Sequence, residues 1–249
     1  MNIFTQAKDH YEQNGFVSLI KEFIRHINRK IGRKFVQPVR YHLWNQFNIG
    51  DVDSLYGEEY YLRMSRKSAQ ADAEATCEIL VGEFEPRSVI DLGCGVGRFL
   101  RPFHQRGISV YGVDAAASAI NNSLIPTEYL DQHDLREPLT VESRYDLVIC
   151  FEVLEHLSED YANIIVSTIS DAGDIAVVTA ATPGQGGSYH MNEQPKEYWI
   201  DKFQKCGMVF LPEKTKHIRA KINVEELSWV TDNLLIFQQA NSQLINQDE

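Results

Sequence analysis

A short apolar segment followed at once by a glycine-rich turn constrains the fold of this chain more than any other feature. Residues 88–100 read SVIDLGCGVGRFL, and Gly93, Gly95 and Gly97 follow the apolar segment two residues apart. An apolar run that ends in closely spaced glycines predicts a buried strand and a tight turn. Because glycine adopts positive φ and lets a ligand approach bare backbone, the turn predicts a ligand site at the end of a strand.

Two common ligands of glycine-rich turns are disfavoured by the residues that follow. The dinucleotide fingerprint needs its third glycine at position 98, where this chain has Arg98. A triphosphate loop needs Gly-Lys-Ser or Gly-Lys-Thr, and neither tripeptide follows. The turn therefore favours a ligand that needs a glycine cradle but no pyrophosphate clamp.

Composition narrows the class of protein. The 249 residues are 43% hydrophobic, which is enough to bury one large α/β domain with an appendage, or two small domains. The net charge of -11 argues against general nucleic-acid binding. The four cysteines form no CxxC pair, which predicts buried thiols in a cytoplasmic protein. No apolar run has the length of a membrane span, and we expect no signal peptide.

The N-terminal segment differs from the rest of the chain in charge. Residues 1–45 contain eight Lys or Arg and three acids, a net charge of +5. Apolar residues at helical spacing predict a basic amphipathic helix at about 16–31. Three roles stay open: docking on the main domain, peripheral membrane contact through residues 16–34, or binding of a partner. We predict a helical extension at 1–80 and a second domain at 81–249.

From residue 86 the pattern alternates between strand and helix, which predicts a mainly parallel sheet. The predicted strands lie at about 88–92, 109–113, 127–130, 145–151, 174–181, 208–212 and 233–239. The predicted helices lie at about 97–106, 115–122, 155–170 and 195–206. Before them, the tyrosines of YGEEYYLRMS, which begins at Tyr56, are predicted to close over a pocket.

Ligands of open parallel sheets bind outside the carboxyl ends of the strands, and several polar residues fall there. Asp91 precedes the glycine turn, and Asp114 ends VYGVD, where its carboxylate can accept both hydroxyls of a ribose. Asp134 and Leu135 follow the third strand, as a polar and apolar pair suited to an adenine. The fourth strand ends in CFEVLEHL.

With these motifs in this order, residues 86–240 resemble the class I S-adenosylmethionine-dependent methyltransferases. The carrying motifs are DLGCGVG, VYGVD, HDL and YDLVICFEVLEH. The resemblance implies a Rossmann-like three-layer sandwich with a seven-stranded sheet, whose antiparallel last strand is NLLIFQQ. It also implies S-adenosylmethionine as cofactor and S-adenosylhomocysteine as product. The implied donor-binding residues are Asp91, Gly93, Cys94, Gly95, Gly97, Asp114, Ala115, Asp134, Leu135, Phe151 and Glu152.

The resemblance also sets the chemistry that we expect. A sulfonium makes its methyl group electrophilic, so the protein must align a nucleophile and exclude water. A hydroxyl acceptor needs a base, and His156 and His190 are the predicted catalytic residues. Amine-methylating relatives often carry Asp-Pro-Pro-Tyr or Asn-Pro-Pro-Tyr where this chain has CFEV. We therefore predict O-methylation of a small-molecule acceptor: a sugar, a lipid-linked compound or a secondary metabolite.

Two other functions stay open. The first is a metal-assisted O-methyltransferase that acts on a catechol-like or RNA 2′-hydroxyl acceptor. If a helix begins at Glu152, then Glu152, Glu155 and His156 share one face and can hold Mg²⁺ or Mn²⁺. This arrangement resembles ubiquinone-biosynthesis O-methyltransferases and small-RNA 2′-O-methyltransferases, although the downstream HxxH-type motif of the RNA enzymes is absent. EVLEH also suits packing and pocket lining, so no metal ligand is predicted. The last alternative is a catalytically silent S-adenosylmethionine-binding module recruited by its N-terminal helix.

Overall fold

The computed structural model describes residues 52, 56, 58–187 and 189–241. The chain divides into two units between residues 55 and 56, and the fold below is that of the second unit. The predicted basic helix at 16–31 and the predicted membrane contact at 16–34 lie outside the described residues. The predicted domain boundary between residues 80 and 81 stays a prediction.

The second unit alternates helices and strands. In chain order the elements are α1 Glu58–Met64, α2 Lys67–Phe84, β1 Ser88–Leu92, α3 Leu100–Gln105, β2 Ser109–Asp114, α4 Ala117–Asn121, β3 Leu130–Gln132, β4 Tyr145–Cys150, α5 Ala162–Ala172, β5 Gly173–Val178, α6 Lys196–Lys205, β6 Met208–Phe210, α7 Pro212–Lys221, α8 Ser228–Asn233 and β7 Leu235–Gln239. Short 3₁₀ helices lie at Thr127–Tyr129, Leu154–His156 and Glu159–Tyr161. Within the described residues, no helix is both long enough and apolar enough to cross a bilayer.

The strands form one seven-stranded sheet in the order β3-β2-β1-β4-β5-β7-β6. The first five strands pair in parallel. The last strand, β7, is antiparallel to both of its neighbours, with Leu235 opposite Val178 and Phe237 opposite Phe210. The predicted Rossmann-like sheet with an antiparallel last strand is therefore confirmed.

Both faces of the sheet are buried, so the central strands are apolar on both sides. On one face, Val89 and Leu147 pack in a cluster with side chains of α2, α3, α7 and α8. On the other face, Ile90 and Val148 pack with side chains of α5 and α6. Successive residues of one strand thus enter different cores, which gives the three-layer sandwich.

Several predicted boundaries are wrong, and one of them bears on the site. The chain does not enter a helix after β4 at residue 155; α5 begins at Ala162, after two 3₁₀ turns. The cause lies at Glu152, whose φ of 55° is outside the right-handed helical region. Its backbone N–H donates instead to Oγ1 of Thr179, at 2.8 Å. Glu152 is therefore held at the carboxyl edge of the sheet rather than in a helix.

Candidate active site

The glycine turn after β1 has the backbone conformation that its sequence predicts. Gly93, Gly95 and Gly97 have φ values of 87°, 53° and 72°. The N–H groups of Gly93 and Cys94 both donate to the carbonyl of Val113, at 2.9 Å, which ties the turn to β2. L-residues rarely adopt these φ values, so glycine is required at all three positions.

Two side chains that sequence analysis missed pack directly on this turn. A Cβ at Gly93 would lie 2.3 Å from Cγ2 of Val153, and a Cβ at Gly95 would lie 2.7 Å from the methyl group of Met64. Val153 comes from the loop after β4, and Met64 ends α1. Both residues lie in segments that sequence analysis singled out, but their contact with the turn follows only from the fold.

Asp114 is held in a fixed orientation beside the turn. Its Oδ2 accepts the N–H of Gly95 at 2.8 Å, and its Oδ1 accepts the N–H of Ala116 at 2.9 Å. A carboxylate has about four lone-pair sites, so these two bonds are compatible with further bonds from a vicinal diol. The predicted role of Asp114 in binding a ribose stays a prediction. The neighbouring residue, Ala115, accepts a bond from Gln132 through its carbonyl.

A buried group of charged and phenolic side chains lies beneath the turn. Asp91 is 3% exposed, and burial, with a smaller effect of the Asp114 charge, raises the pKa of Asp91 well above its usual value. Burial and then the Asp114 charge also raise the pKa of Tyr60, on α1. Arg98 is 8% exposed, and its Nε has no hydrogen-bond partner among the described residues. Arg98 thus places a positive charge near Asp91.

Tyrosines from two separate segments meet over this region. The ring centroid of Tyr56 lies 4.8 Å from that of Tyr60 and 5.6 Å from that of Tyr189. Tyr189 belongs to the long connection between β5 and α6. The prediction that the tyrosines of YGEEYYLRMS close over a pocket stays a prediction.

Three of the predicted donor-binding residues, Leu135, Asp134 and Cys94, lie in different environments. Leu135 is 5% exposed in the core that faces α5. Nε–H of Arg136 donates to both carboxylate oxygens of Asp134, at 3.0 Å each. Cys94 is buried, and burial raises the pKa of its thiol well above the usual value. The predicted donor-binding roles of these residues stay predictions.

Phe151 and Glu152 point to different parts of the site. The ring of Phe151 packs edge-to-face against Phe99, with 4.8 Å between the ring centroids. Oε1 of Glu152 accepts Nδ2 of Asn233 at 3.4 Å, which links the loop after β4 to α8. Positive φ in a residue other than glycine costs free energy, and such strain is concentrated at functional sites.

Glu155, His156 and His190 converge although the predicted helix is absent. One ligand atom from each lies within 4.8 Å of the others. Glu155 is fully buried, and its carboxylate oxygens have no hydrogen-bond partner among the described residues. Burial, followed by the charge of Glu152, raises the pKa of Glu155 well above its usual value. The expectation of a shared helix face was wrong: His190 from a distant loop, rather than Glu152, completes this group.

The two imidazoles are oriented by their own partners. Nδ1 of His156 lies 3.3 Å from the carbonyl of Tyr189; since a carbonyl only accepts, Nδ1 carries the proton and Nε2 the lone pair. Burial, and then the neighbouring His190, lower the pKa of His156 to about 4. The ring centroids of His156 and His190 are 5.1 Å apart. His156 is therefore neutral near pH 7.

Glu193 is a supporting residue that sequence analysis missed. Its Oε1 accepts Nδ1 of His190 at 2.8 Å, and its carboxylate also accepts the N–H groups of Gly184 and Gly186. A Cβ at Gly187 would lie 2.2 Å from Nε2 of His190, so only glycine leaves room for the imidazole. The i, i+3 spacing of His190 and Glu193 is the only sequence signal for this pair.

Comparison with known protein families identifies the family of this chain. A profile described as a methyltransferase domain matches residues 65–230, which is more than half of the chain. The chain belongs to this methyltransferase family. The membership that DLGCGVG and the later motifs predicted is thereby confirmed.

The methyltransferase has relatives in more than one pathway. It is 21% identical over 210 residues to the chloroplastic magnesium protoporphyrin IX methyltransferase of Arabidopsis thaliana, a match that covers 80% of this chain and 61% of that protein. It is 31% identical over 170 residues to a ubiquinone biosynthesis O-methyltransferase of Rhodopseudomonas palustris, over 59% and 62% of the two chains. The chain thus spans about three-fifths of the length of these curated relatives.

Solved structures show the same fold at low identity. Magnesium protoporphyrin IX methyltransferase from Synechocystis PCC 6803, with bound SAM, matches with a TM-score of 0.52 and 17% identity, over 82% of this chain and 97% of that chain. DesVI from Streptomyces venezuelae matches with a TM-score of 0.56 and 14% identity, over 77% and 99% of the two chains. At these identities the similarity establishes the fold of the methyltransferase alone.

Proposed function

We propose that this chain is an S-adenosylmethionine-dependent O-methyltransferase that acts on a small hydroxylated acceptor. The observation that carries the proposal is the convergence of two histidines, His156 and His190, in the loops after β4 and β5. The loop after β4 also contacts the glycine turn, through Val153. A base and a donor site thus share one edge of the sheet.

The donor site suits a cofactor without phosphates. The glycine turn is pinned to β2, and the backbone orients the carboxylate of Asp114 for a diol. Asp114 supplies a negative charge, which contributes to the raised pKa of Tyr60. When bound, the sulfonium supplies an electrophilic methyl group. The tyrosine cluster and Met64 help to exclude water from this region.

The histidines suit removal of a hydroxyl proton. Nδ1–H of His190 donates to Glu193, so the neutral form of His190 has its lone pair on Nε2. A carboxylate behind an imidazole fixes its tautomer and stabilises the cation that forms when the imidazole accepts a proton. His156 is neutral near pH 7 and its ring packs against that of His190, so we assign removal of the proton to Nε2 of His190.

The first experiment is turnover of an acceptor panel of sugars, phenols and lipid-linked alcohols, followed by mass spectrometry. His190→Gln is expected to lower kcat by about 10²- to 10⁴-fold, because it removes a general base, while S-adenosylhomocysteine binds as before. His104→Gln is the control, since His104 lies in the last turn of α3 and packs on Tyr129. Equal turnover in both variants would remove His190 from the mechanism. Donor binding with no transfer to any acceptor would favour a catalytically silent module.

A second candidate is metal-assisted O-methylation, which the environment of Glu155 favours. The buried carboxyl group of Glu155 and the two imidazoles beside it form a donor set suited to a divalent ion such as Mn²⁺. The bond from His190 to Glu193 is of the kind that orients a ligating histidine. The chemistry that such an ion supplies when bound is a lower pKa for the acceptor hydroxyl.

Binding of Mn²⁺, followed by electron paramagnetic resonance, separates the two candidates. The metal-assisted route predicts a bound signal that Glu155→Gln weakens at least about tenfold, and loss of turnover on chelation. Glu159→Gln is the control, because Glu159 is exposed in the neighbouring 3₁₀ turn. No bound Mn²⁺ at millimolar concentration, with turnover unaffected by a chelator, would leave the unassisted base as the mechanism.

A further inference from the structure

A cavity opens at the far edge of the sheet, away from the glycine turn. It has a volume of about 290 Å³ and lies between α6 and α7, where β6 ends. Ile200, Phe210, Pro212 and Leu235 form its apolar wall. In the sheet order, β4 and β5 stand between this edge and the strands of the donor site. Its volume is close to the lower limit for sites that bind small molecules.

The polar part of this cavity is mainly cationic. Lys196, Lys216 and Arg219 line it together with one acid, Glu197. A second acid, Asp232 of α8, acts on Lys196 and Arg219 through its charge. Three cations against two acids leave an excess of positive charge, in a chain whose net charge is -11.

Two of the three cations form hydrogen bonds to neutral backbone carbonyls rather than to carboxylates. Lys196 donates to the backbone carbonyl of Asp232 at 2.5 Å, and Arg219 donates to the carbonyl of Leu234. Nε of Arg219 is buried and has no hydrogen-bond partner among the described residues. Burial, and then the charge of Arg219, lower the pKa of Lys196. Among the described residues neither Lys196 nor Arg219 forms an ion pair with a carboxylate, so their positive charges are not neutralised by direct contact.

We propose that this cavity binds an amphipathic organic anion, whose carboxylate or phosphate bonds to Arg219, Lys196 and Lys216. Its apolar body packs on Phe210 and Leu235. An anionic group suits cations whose partners are neutral carbonyls, and four apolar residues suit a hydrocarbon or aromatic body. This inference does not depend on the identity of the methyl acceptor.

The cavity is also connected to the active site. The two carbonyls that Lys196 and Arg219 bind belong to the residues on either side of Asn233. The amide of Asn233 donates to Glu152 in the active site. An anion that draws the two cations away from these carbonyls therefore acts on the segment that supports Glu152.

The test uses 8-anilinonaphthalene-1-sulfonate, a fluorescent amphipathic anion, with S-adenosylhomocysteine at saturation to fill the donor site. Arg219→Gln is expected to raise the Kd of the probe about tenfold, which corresponds to one charge-assisted hydrogen bond. Lys216→Gln is the second variant, because Lys216 is exposed and its loss leaves the core intact. Lys205→Gln is the matched control: it removes the same charge from the other end of α6, where the side chain is 72% exposed.

The neutral analogue N-phenyl-1-naphthylamine separates charge recognition from apolar binding. We expect it to bind more weakly than the sulfonate and to be insensitive to all three variants. Circular dichroism confirms that each variant is folded. Equal Kd values for the sulfonate in all variants, equal binding of the neutral analogue, or no sulfonate binding to the unaltered protein would each overturn the proposal.

Discussion

Replacing Asp114 with alanine tests the donor site at its best-defined point. The carboxylate now accepts bonds of 2.8 and 2.9 Å from the N–H groups of Gly95 and Ala116. The substitution removes these bonds and the two that we assign to the ribose hydroxyls. A hydrogen bond to a charged group contributes about 1.5–3 kcal/mol, and neighbouring contributions are not additive. We therefore expect a loss of about 3 kcal/mol in binding free energy, or a Kd raised on the order of 100-fold.

Isothermal titration with S-adenosylmethionine and with S-adenosylhomocysteine measures this loss directly. Asp131→Ala is the matched control, since Asp131 lies exposed on the adjacent strand β3 and accepts a bond from Tyr111. We expect the control to bind both ligands as the unaltered protein does. A Kd within twofold of the unaltered value for Asp114→Ala would refute the assignment of Asp114 to the donor site.

Three further predictions concern the catalytic loops and the stability of the fold. Glu193→Gln should lower kcat about 10- to 100-fold without changing donor binding, because His190 loses the carboxylate that orients it. Steady-state assays of methyl transfer measure kcat, and calorimetric titration measures donor binding. An unchanged kcat would contradict this role of Glu193. The pKa of His156 is about 4 in the folded protein, against an ordinary value of 6.5, so the unfolded chain binds more protons between these pH values. The free energy of unfolding should therefore decrease as the pH falls from about 6.5 to 4. Urea titrations of His156→Gln should show a smaller decrease in this interval. Hydrogen bonds from Lys221 and Lys214 lower the pKa of Glu83 to about 2, so Glu83→Gln should cost about 1–2 kcal/mol at pH 7, after screening of its half-exposed partners. This cost should decrease as the pH falls from about 4.5 to 2, which urea titrations measure; equal stability of the two proteins at pH 7 would show that the pairs are fully screened.

Sequence predicted the sheet well because its central strands are buried on both faces. Segments such as SVIDL and YDLVIC are mainly apolar, with one aspartate each, and their short apolar runs identify them as strands. The region after β4 was harder to predict. VLEHL has helical periodicity, yet the φ of Glu152 and its bond to Thr179 delay the helix until Ala162. Local periodicity does not report a constraint that is set by a neighbouring strand.

Sequence likewise predicted some residues of the candidate site and missed others. The glycine turn and Asp114 were predictable, because strand ends and φ requirements are local properties. Val153 and Glu193 were not, since their roles follow from contacts with Gly93 and His190 that only the folded chain creates. The convergence of Glu155 with His190 depends on the path of the loop after β5, which no periodic pattern encodes.

A crystal structure of the protein with S-adenosylhomocysteine tests the central claim most directly, namely that the edge of the sheet beside β1 and β2 holds the methyl donor. We predict ligand density over the glycine turn, with the ribose hydroxyls within hydrogen-bond distance of Asp114 and the sulfur directed towards the loops that carry His156 and His190. Ligand density at another site, or none at a saturating concentration, would contradict the account.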